Sequence, residues 1–454
     1  MDKKTSSPGE DYTSGSIVHN LWNLSWPITL SMLLFTFPNT FDGIWLGRLG
    51  SNALAAAGLA MSLRITMISP LMALSMAGGA VVARYVGARD MENADKATFH
   101  VVFLMIVSSG TIGIVGLVFK ERLLYLAGAR DAVLPLAVQY VKIIFIGLIA
   151  MEMVPSLGGV FNAAGNPKVS LRVNLIVGFS TLFLEPCLVL GIGFFPALGI
   201  MGASLALVTA NTLGTLYAFY VLLTGRAKAR LNVHNLTLEL AMMRRIVRIA
   251  LPGLIHRFTP NLAQTILMRL ISAYGAIPLA AYGIVMRVFG LSLIPCTGLA
   301  RTTSVMVGQN LGAKKPERSE QATYIVAGLI VIIATLIVLF LSLFARTIIG
   351  IFNKEPEVIE SGVGLVWILS IGQIFFLVNM AMEGGLVGAA DTVSPMVINI
   401  TTLWLFQLPF IYLLSWVIGF GATGIWGALV ISRLIHCIVT TLRFRQGRWK
   451  LKQI

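Results

Sequence analysis

Apolar stretches long enough to cross a bilayer recur along the whole chain, and the charged residues collect in the short segments between them. A helix rises 1.5 Å per residue, so about 20 apolar residues cover the ~30 Å hydrocarbon layer. Twelve such helices are predicted, near 22–47, 54–82, 97–119, 133–160, 171–193, 199–224, 246–272, 278–307, 321–345, 358–386, 396–419 and 423–442. The longest polar stretches, the first ~20 residues and 225–247, are too short for a soluble domain.

The order of these helices contains a repeat. "LAAAGLAM" at 54–61 returns as "LAAYGIVM" at 279–286, a shift of 225. The same shift carries Pro27 to Pro252, Gly87 to Gly312, Asn174 to Asn399 and "GIMGA" (199–203) to "GIWGA" (424–428). One constant offset over most of a unit marks a duplication. Each unit has six helices, an even number, so both enter the membrane from the same side and their symmetry axis runs along its normal. The predicted fold is an all-α integral membrane protein with twelve transmembrane helices in two six-helix bundles related by a pseudo-two-fold along the membrane normal. Its expected parts are a tail (1–21), a first bundle (22–224), a linker (225–245), a second bundle (246–442) and a basic tail (443–454).

Composition agrees: of 454 residues, 57% are hydrophobic and 12% charged, about half the charged share of a soluble domain. The net charge of +15 would suit a nucleic-acid binder, but its placement favours the membrane. Lys and Arg gather in the tails and alternate connections, among them Arg84, Arg89, Lys168, Arg172, Arg226, Lys228, Arg230, Lys314 and Lys315. The positive-inside rule then places both termini in the cytoplasm of a multi-pass protein of the cell (inner) membrane. The tail "RFRQGRWKLKQI" is expected against anionic lipid, and the first residues lack the apolar core of a signal peptide. Cys187, Cys296 and Cys437 lie in apolar stretches at unrelated spacings, so they read as packing residues, not a disulfide framework or metal site.

Four acids fall inside the predicted spans: Asp42, Glu152, Glu185 and Glu383. A carboxylate at that depth costs roughly 2.5–3.5 kcal/mol even on lenient insertion scales, so each is a functional candidate. The repeat acts as a control. Asp42, Glu152 and Glu185 map to Leu267, Leu377 and Phe410, so the fold itself does not demand them. Asn39 shares a helix face with Asp42, and Thr181 shares one with Glu185. Pro27 and Pro38 interrupt the helix of Asp42 and permit kinks. Asp42 and Glu185, if they share a pocket, titrate as a pair. Arg64 and Lys142 are candidate partners for Glu152, and Arg257 and Arg287 for Glu383. His436 reads as a helix-packing residue.

"LSWPITLSMLLFTFPNTFDGIWLGRLG", "NALAAAGLA", "VGARDMENADKA" and "FNAAGNPKVSLRVN" together resemble the multidrug and toxic compound extrusion family, over nearly the whole chain. The resemblance implies an antiporter that exports amphipathic organic compounds against inward H⁺ or Na⁺ flow. It places Asp42 on the family's principal cation-site acid. It also sets Thr181-x-x-x-Glu185-Pro186 where relatives have Asn-x-x-x-Asp-Pro; Asn162 reads either as a further polar wall of that site or as a helix–helix bonding residue. Relatives that bind Na⁺ in the second bundle carry an acid where this chain has Pro260, next to His256 and Arg257. His256, Arg257 and Arg287 are therefore expected in a substrate cleft that tolerates anions.

The expected function is secondary multidrug efflux by alternating access, coupled to H⁺ with Na⁺ as the alternative ion. A flippase for lipid-linked or anionic amphipathic precursors is the second reading, and a channel a third from another class. No nucleophile–base or metal cluster and no GxxxxGK[ST] phosphate loop argues for an enzyme or an ATP-driven pump. The expected partners are a small organic substrate and membrane lipid, with no cofactor, metal or nucleic acid, acting as a monomer.

Overall fold

A computed structural model describes residues 11–193, 195–231 and 237–452; the side chains of residues 35–41 and 291 lie outside the described set. The first helices are α1 (Ile17–Arg48), α2 (Ser51–Gly87), α3 (Met91–Leu126), α4 (Val133–Ile146), α5 (Leu148–Ala163), α6 (Pro167–Leu190) and α7 (Ile200–Leu223). They are followed by α8 (Leu240–Ser272), α9 (Ala276–Gly312), α10 (Pro316–Leu343), α11 (Ala345–Phe352), α12 (Pro356–Gly388), α13 (Val393–Ile400), α14 (Leu408–Tyr412) and α15 (Gly421–Arg445). Among the described residues, eight helices are long and apolar enough to cross a membrane, and two bent pairs raise this to ten. The helices α1 and α8 fall on the two remaining predicted spans.

The breaks have local causes. Between α4 and α5 the path turns by 56° at Gly147, and α9 bends by 46° near residue 291. Pro295 lies four residues beyond that bend and cannot donate to the carbonyl there. Around α14 the backbone widens into π-helical turns at Thr401–Gln407 and Leu413–Val417, beside Pro409, which lacks the donor an α-turn needs. Asp90 caps α3 by accepting from the Asn93 amide at 3.1 Å. Prolines open α6, α10 and α12 in the first turn, where a missing N–H costs nothing.

The helices form two units. One contains the described residues up to Ser14 with Trp26–Leu251, and the other contains Gly15–Ser25 with the described residues from Pro252 onward. In the second unit α12 closes tightly on α9. A Cβ at Gly384 would stand 2.4 Å from the Ala300 carbonyl oxygen, and one at Gly388 would stand 2.3 Å from that of Ser304. Small residues one turn apart allow this approach, and it sets the depth at which Glu383 is held.

The duplication extends to backbone conformation. Left-handed or positive φ recurs at the 225 spacing: Gly50 (110°) with Gly275 (102°), Arg89 (60°) with Lys314 (59°), and Gly165 (83°) with Ala390 (60°). Only the last pair replaces a glycine by a residue with a Cβ, so Ala390 carries strain that Gly165 does not. Ala390→Gly is expected to stabilise the second unit by ~0.5–1 kcal/mol, read as a rise in melting temperature of the purified protein.

Two boundaries differ from the sequence reading. The segment after α7 stays with the first unit and docks on it through main-chain donors. Lys228 N–H donates to Asn166 Oδ1 (3.0 Å), Arg230 N–H to Asp95 Oδ1 (2.7 Å) and Glu239 N–H to His100 Nε2 (2.8 Å). The basic C-terminal tail, expected on lipid, is also fastened to its own unit. Trp449 is 1% exposed, stacks on Phe444 at 4.7 Å and donates Nε1–H to the Phe444 carbonyl. Lys450 pairs with Glu320, and Lys452 with Asp391 at 2.7 Å. Asp391 stands 225 residues after Asn166, so the tail occupies in the second unit the berth that the linker occupies in the first.

Burial pushes the Asp391 carboxyl up, but the hydrogen bonds from Lys452 and Ser394 outweigh it and hold the group below its ordinary 3.8. A carboxylate with a depressed folded value stabilises fully above its ordinary value and loses that contribution as pH falls through the folded one. Tail docking is therefore constant at neutral pH and weakens only below 3.8. Asp391→Asn should speed hydrogen exchange of the 446–452 peptide about tenfold at pH 7, as expected for losing a charge-assisted bond.

Candidate functional site

In the first unit the polar interior is built by α1, α2, α4, α5 and α6. Asp42 of α1 and Glu185 of α6 lie within side-chain hydrogen-bonding reach of each other. Glu185 is 2% exposed, and its Oε1 has no hydrogen-bond partner among the described residues. An ionised carboxylate only accepts, so two in contact need a proton between them. Pro186 lacks an N–H and so leaves the Leu182 carbonyl without its helical donor, next to Glu185. Tyr140 of α4 is 4% exposed and lies in electrostatic range of Asp42, Glu185 and Arg64.

The other expected members of this site behave differently. Thr181 is buried, but its hydroxyl donates to the Val177 carbonyl at 2.8 Å, so only its lone pairs remain for a ligand. Asn162 is buried on α5, with Oδ1 lacking a hydrogen-bond partner. The side chains of Asn39 and Pro38 lie outside the described residues, whereas Pro27 is buried in α1. Glu152 is paired with Arg64 at 3.4 Å, and both are buried. Lys142 is exposed. Arg64 thus serves Glu152, while Tyr140 lies in electrostatic range of the Asp42–Glu185 pair.

In the second unit the acid is Glu383 of α12, and its neighbours are not those expected. Its Oε1 lies 3.2 Å from His436 Nε2 of α15 and 3.5 Å from His256 Nε2 of α8. Asn379, one turn earlier, donates Nδ2–H to the same oxygen at 2.9 Å. His256 is therefore engaged with an acid and not simply a wall of a substrate cleft, and His436 does more than fill space. Arg257 is in electrostatic range of Glu383, while Arg287 is exposed. The one sequence signal for His436 was its repeat mate, Asn211: the last helix carries a polar group there in both units. Further out, Arg433 donates to Gln373 Oε1 (3.1 Å), and Gln373 donates to Ser292 (3.1 Å). No group of three His, Cys, Asp or Glu side chains suits a metal ion among the described residues.

Comparison with known proteins gives one family. The MatE family model matches residues 27–185 and 252–413, two stretches that begin 225 residues apart. A protein of Bacillus subtilis named as the probable multidrug resistance protein YpnP is 26% identical over 98% of each chain. A protein of Shewanella oneidensis named as an FAD transporter is 26% identical over 93% of each chain. The outward-facing structure of a multidrug resistance MATE family transporter superimposes with a TM-score of 0.90 at 22% identity, covering all of both chains. At that identity the likeness is one of fold.

The two acid arrangements of the first unit should respond differently to neutralisation. Glu152→Ala leaves Arg64 buried without its counter-charge and is expected to cost about 3 kcal/mol or more. Asp42→Asn keeps an acceptor for the proton of Glu185 and should cost under about 1 kcal/mol. Thermal unfolding of the two purified variants side by side checks the contrast.

Proposed function

The chain belongs to the MatE family, and on that premise we propose that it is a secondary antiporter, exporting amphipathic organic compounds in exchange for protons by alternating access. The observation that carries this reading is the Asp42–Glu185 contact. With a proton between them the two carboxylates attract; without it they repel, and at least one must find other partners. Proton occupancy therefore changes the force between α1 and α6, and differential affinity for two states is what coupling requires. Sodium is the alternative ion: a hard cation needs several oxygen ligands, and the Thr181 hydroxyl, with its proton given to Val177, still offers its lone pairs. The Lys and Arg distribution supports an inner-membrane orientation with both termini in the cytoplasm, and we take the working form to be a monomer that uses no cofactor.

A second reading, transport of an anionic or lipid-linked amphipath, draws support from Arg257, Arg287 and Arg301 in the second unit and from the relative named as an FAD transporter. Glu383 beside Arg257 offsets part of that positive charge.

The test is counter-transport in proteoliposomes under an imposed pH gradient, repeated with a sodium gradient and with cationic and anionic substrates. Wild-type protein should export under the proton gradient, while Asp42→Asn and Glu185→Gln should lose coupled export by at least about 100-fold though still inserted, which corresponds to about 2.7 kcal/mol. Full activity in Asp42→Asn overturns the proton-coupled reading.

A further inference from the structure

Glu383 is the meeting point of three helices of the second unit: α8 through His256, α15 through His436 and its own α12. His256 has another neighbour as well, since its Nε2 lies 3.4 Å from Nδ2 of Asn399 in α13. These neighbours make opposite demands. The Asn399 amide nitrogen donates and needs a lone pair on Nε2, whereas Glu383 accepts and needs a proton there. One imidazole nitrogen cannot meet both at once.

We propose that His256, Glu383 and His436 form a proton-binding switch in the second unit, separate from the Asp42–Glu185 pair, in which protonation moves His256 from Asn399 to Glu383. Without a proton on Nε2, α8 is bonded to α13; with one, it is bonded to α12. The position of His256 gives this exchange mechanical effect. Pro252 and Pro260 flank it, so α8 lacks the backbone bonds to the carbonyls of Arg248 and of His256 itself. A helix missing two of its own bonds bends there easily, and its direction follows whichever neighbour holds it.

The charged and titratable groups around the switch set its capacity. On α8 and α9 these are Arg257, in range of Glu383, and Arg301, in range of Arg257. On α12 and α13 they are Glu383, with the neutral amides of Asn379 and Asn399. On α15 it is His436. A single carboxylate faces both imidazoles, and two guanidiniums stand nearby. Charging one imidazole is compensated by Glu383, and charging both is not. The switch takes one proton.

The test reads the imidazoles directly, by ¹⁵N spectroscopy of histidine-labelled full-length protein in lipid nanodiscs, and involves no transport. His256→Gln and His436→Gln each delete one signal and so assign the pair. On acidification from about pH 8 to about pH 5, Nε2 of His256 should change from hydrogen-bond acceptor to donor. His436 should respond in the same step. In Glu383→Gln the two responses should become independent, and in Asn399→Leu the amide-bonded form should vanish at every pH. A His256 signal that stays constant over the range, or that changes identically in wild type and both variants, overturns the switch. If Glu383→Gln does not fold, Asn399→Leu and His436→Gln carry the same comparison.

Discussion

Inside a hydrocarbon layer a charge must be answered by the protein itself, and the polar interior of this molecule is arranged around that necessity. Water cannot reach in to solvate a misplaced carboxylate, so each buried acid is matched to a particular neighbour. Glu152 takes Arg64, giving a pair that neutralises itself and leaves little to do but hold α2 against α5. Asp42 and Glu185 take each other, an arrangement that works only with a proton between them. Glu383 accepts from the Asn379 amide and stands within ion-pair distance of two imidazoles, whose number of protons can change. The first match is fixed, and the other two depend on protons. That difference separates structural acids from those able to do work.

The duplicated architecture makes the distinction unusually clear. Both units turn their backbones through positive φ at matching places, and both secure the chain after their last helix at matching side chains, Asn166 and Asp391. Their interiors nevertheless differ. Where the first unit has Asp42 and Glu152, the second has Leu267 and Leu377, both buried in apolar surroundings at 1% and 0% exposure. Where the second unit has Glu383, the first has Gly158, buried beside Ser170. One helical frame therefore tolerates an acid or an aliphatic side chain at the same station. The acids are additions to the frame, which the second unit builds without them at those stations.

The C-terminal tail has protein partners that composition does not name. A run of arginines and lysines next to a membrane helix reads as a lipid anchor, since anionic headgroups attract it. Asp391 and Glu320 pair with Lys452 and Lys450, and Trp449 buries its ring against Phe444 of α15. The linker after α7 behaves alike for the same reason: its main-chain donors find Asn166, Asp95 and His100 at the end of the first unit. Both segments end as parts of the bundle they leave.

Much of the molecule was legible in the chain because helix periodicity and length are local properties. The spans, the 225-residue repeat and the four intramembrane acids all follow from reading neighbouring residues, and comparing the repeats already marked Asp42 and Glu185 as dispensable for folding. Arg64 was a candidate for Glu152 by depth alone. What the chain could not reveal was which acid meets which partner, because those contacts join residues 53 to 127 positions apart (Glu383 with His436, Arg64 with Glu152, His256 with Glu383). Two helices of known sequence can face each other in many rotations, and ridge-into-groove packing selects one. That selection put Tyr140 near the acid pair, brought His436 to Glu383 and gave the basic tail a berth on protein. The sequence determined that charges would be buried; the tertiary structure decided which of them could share a proton.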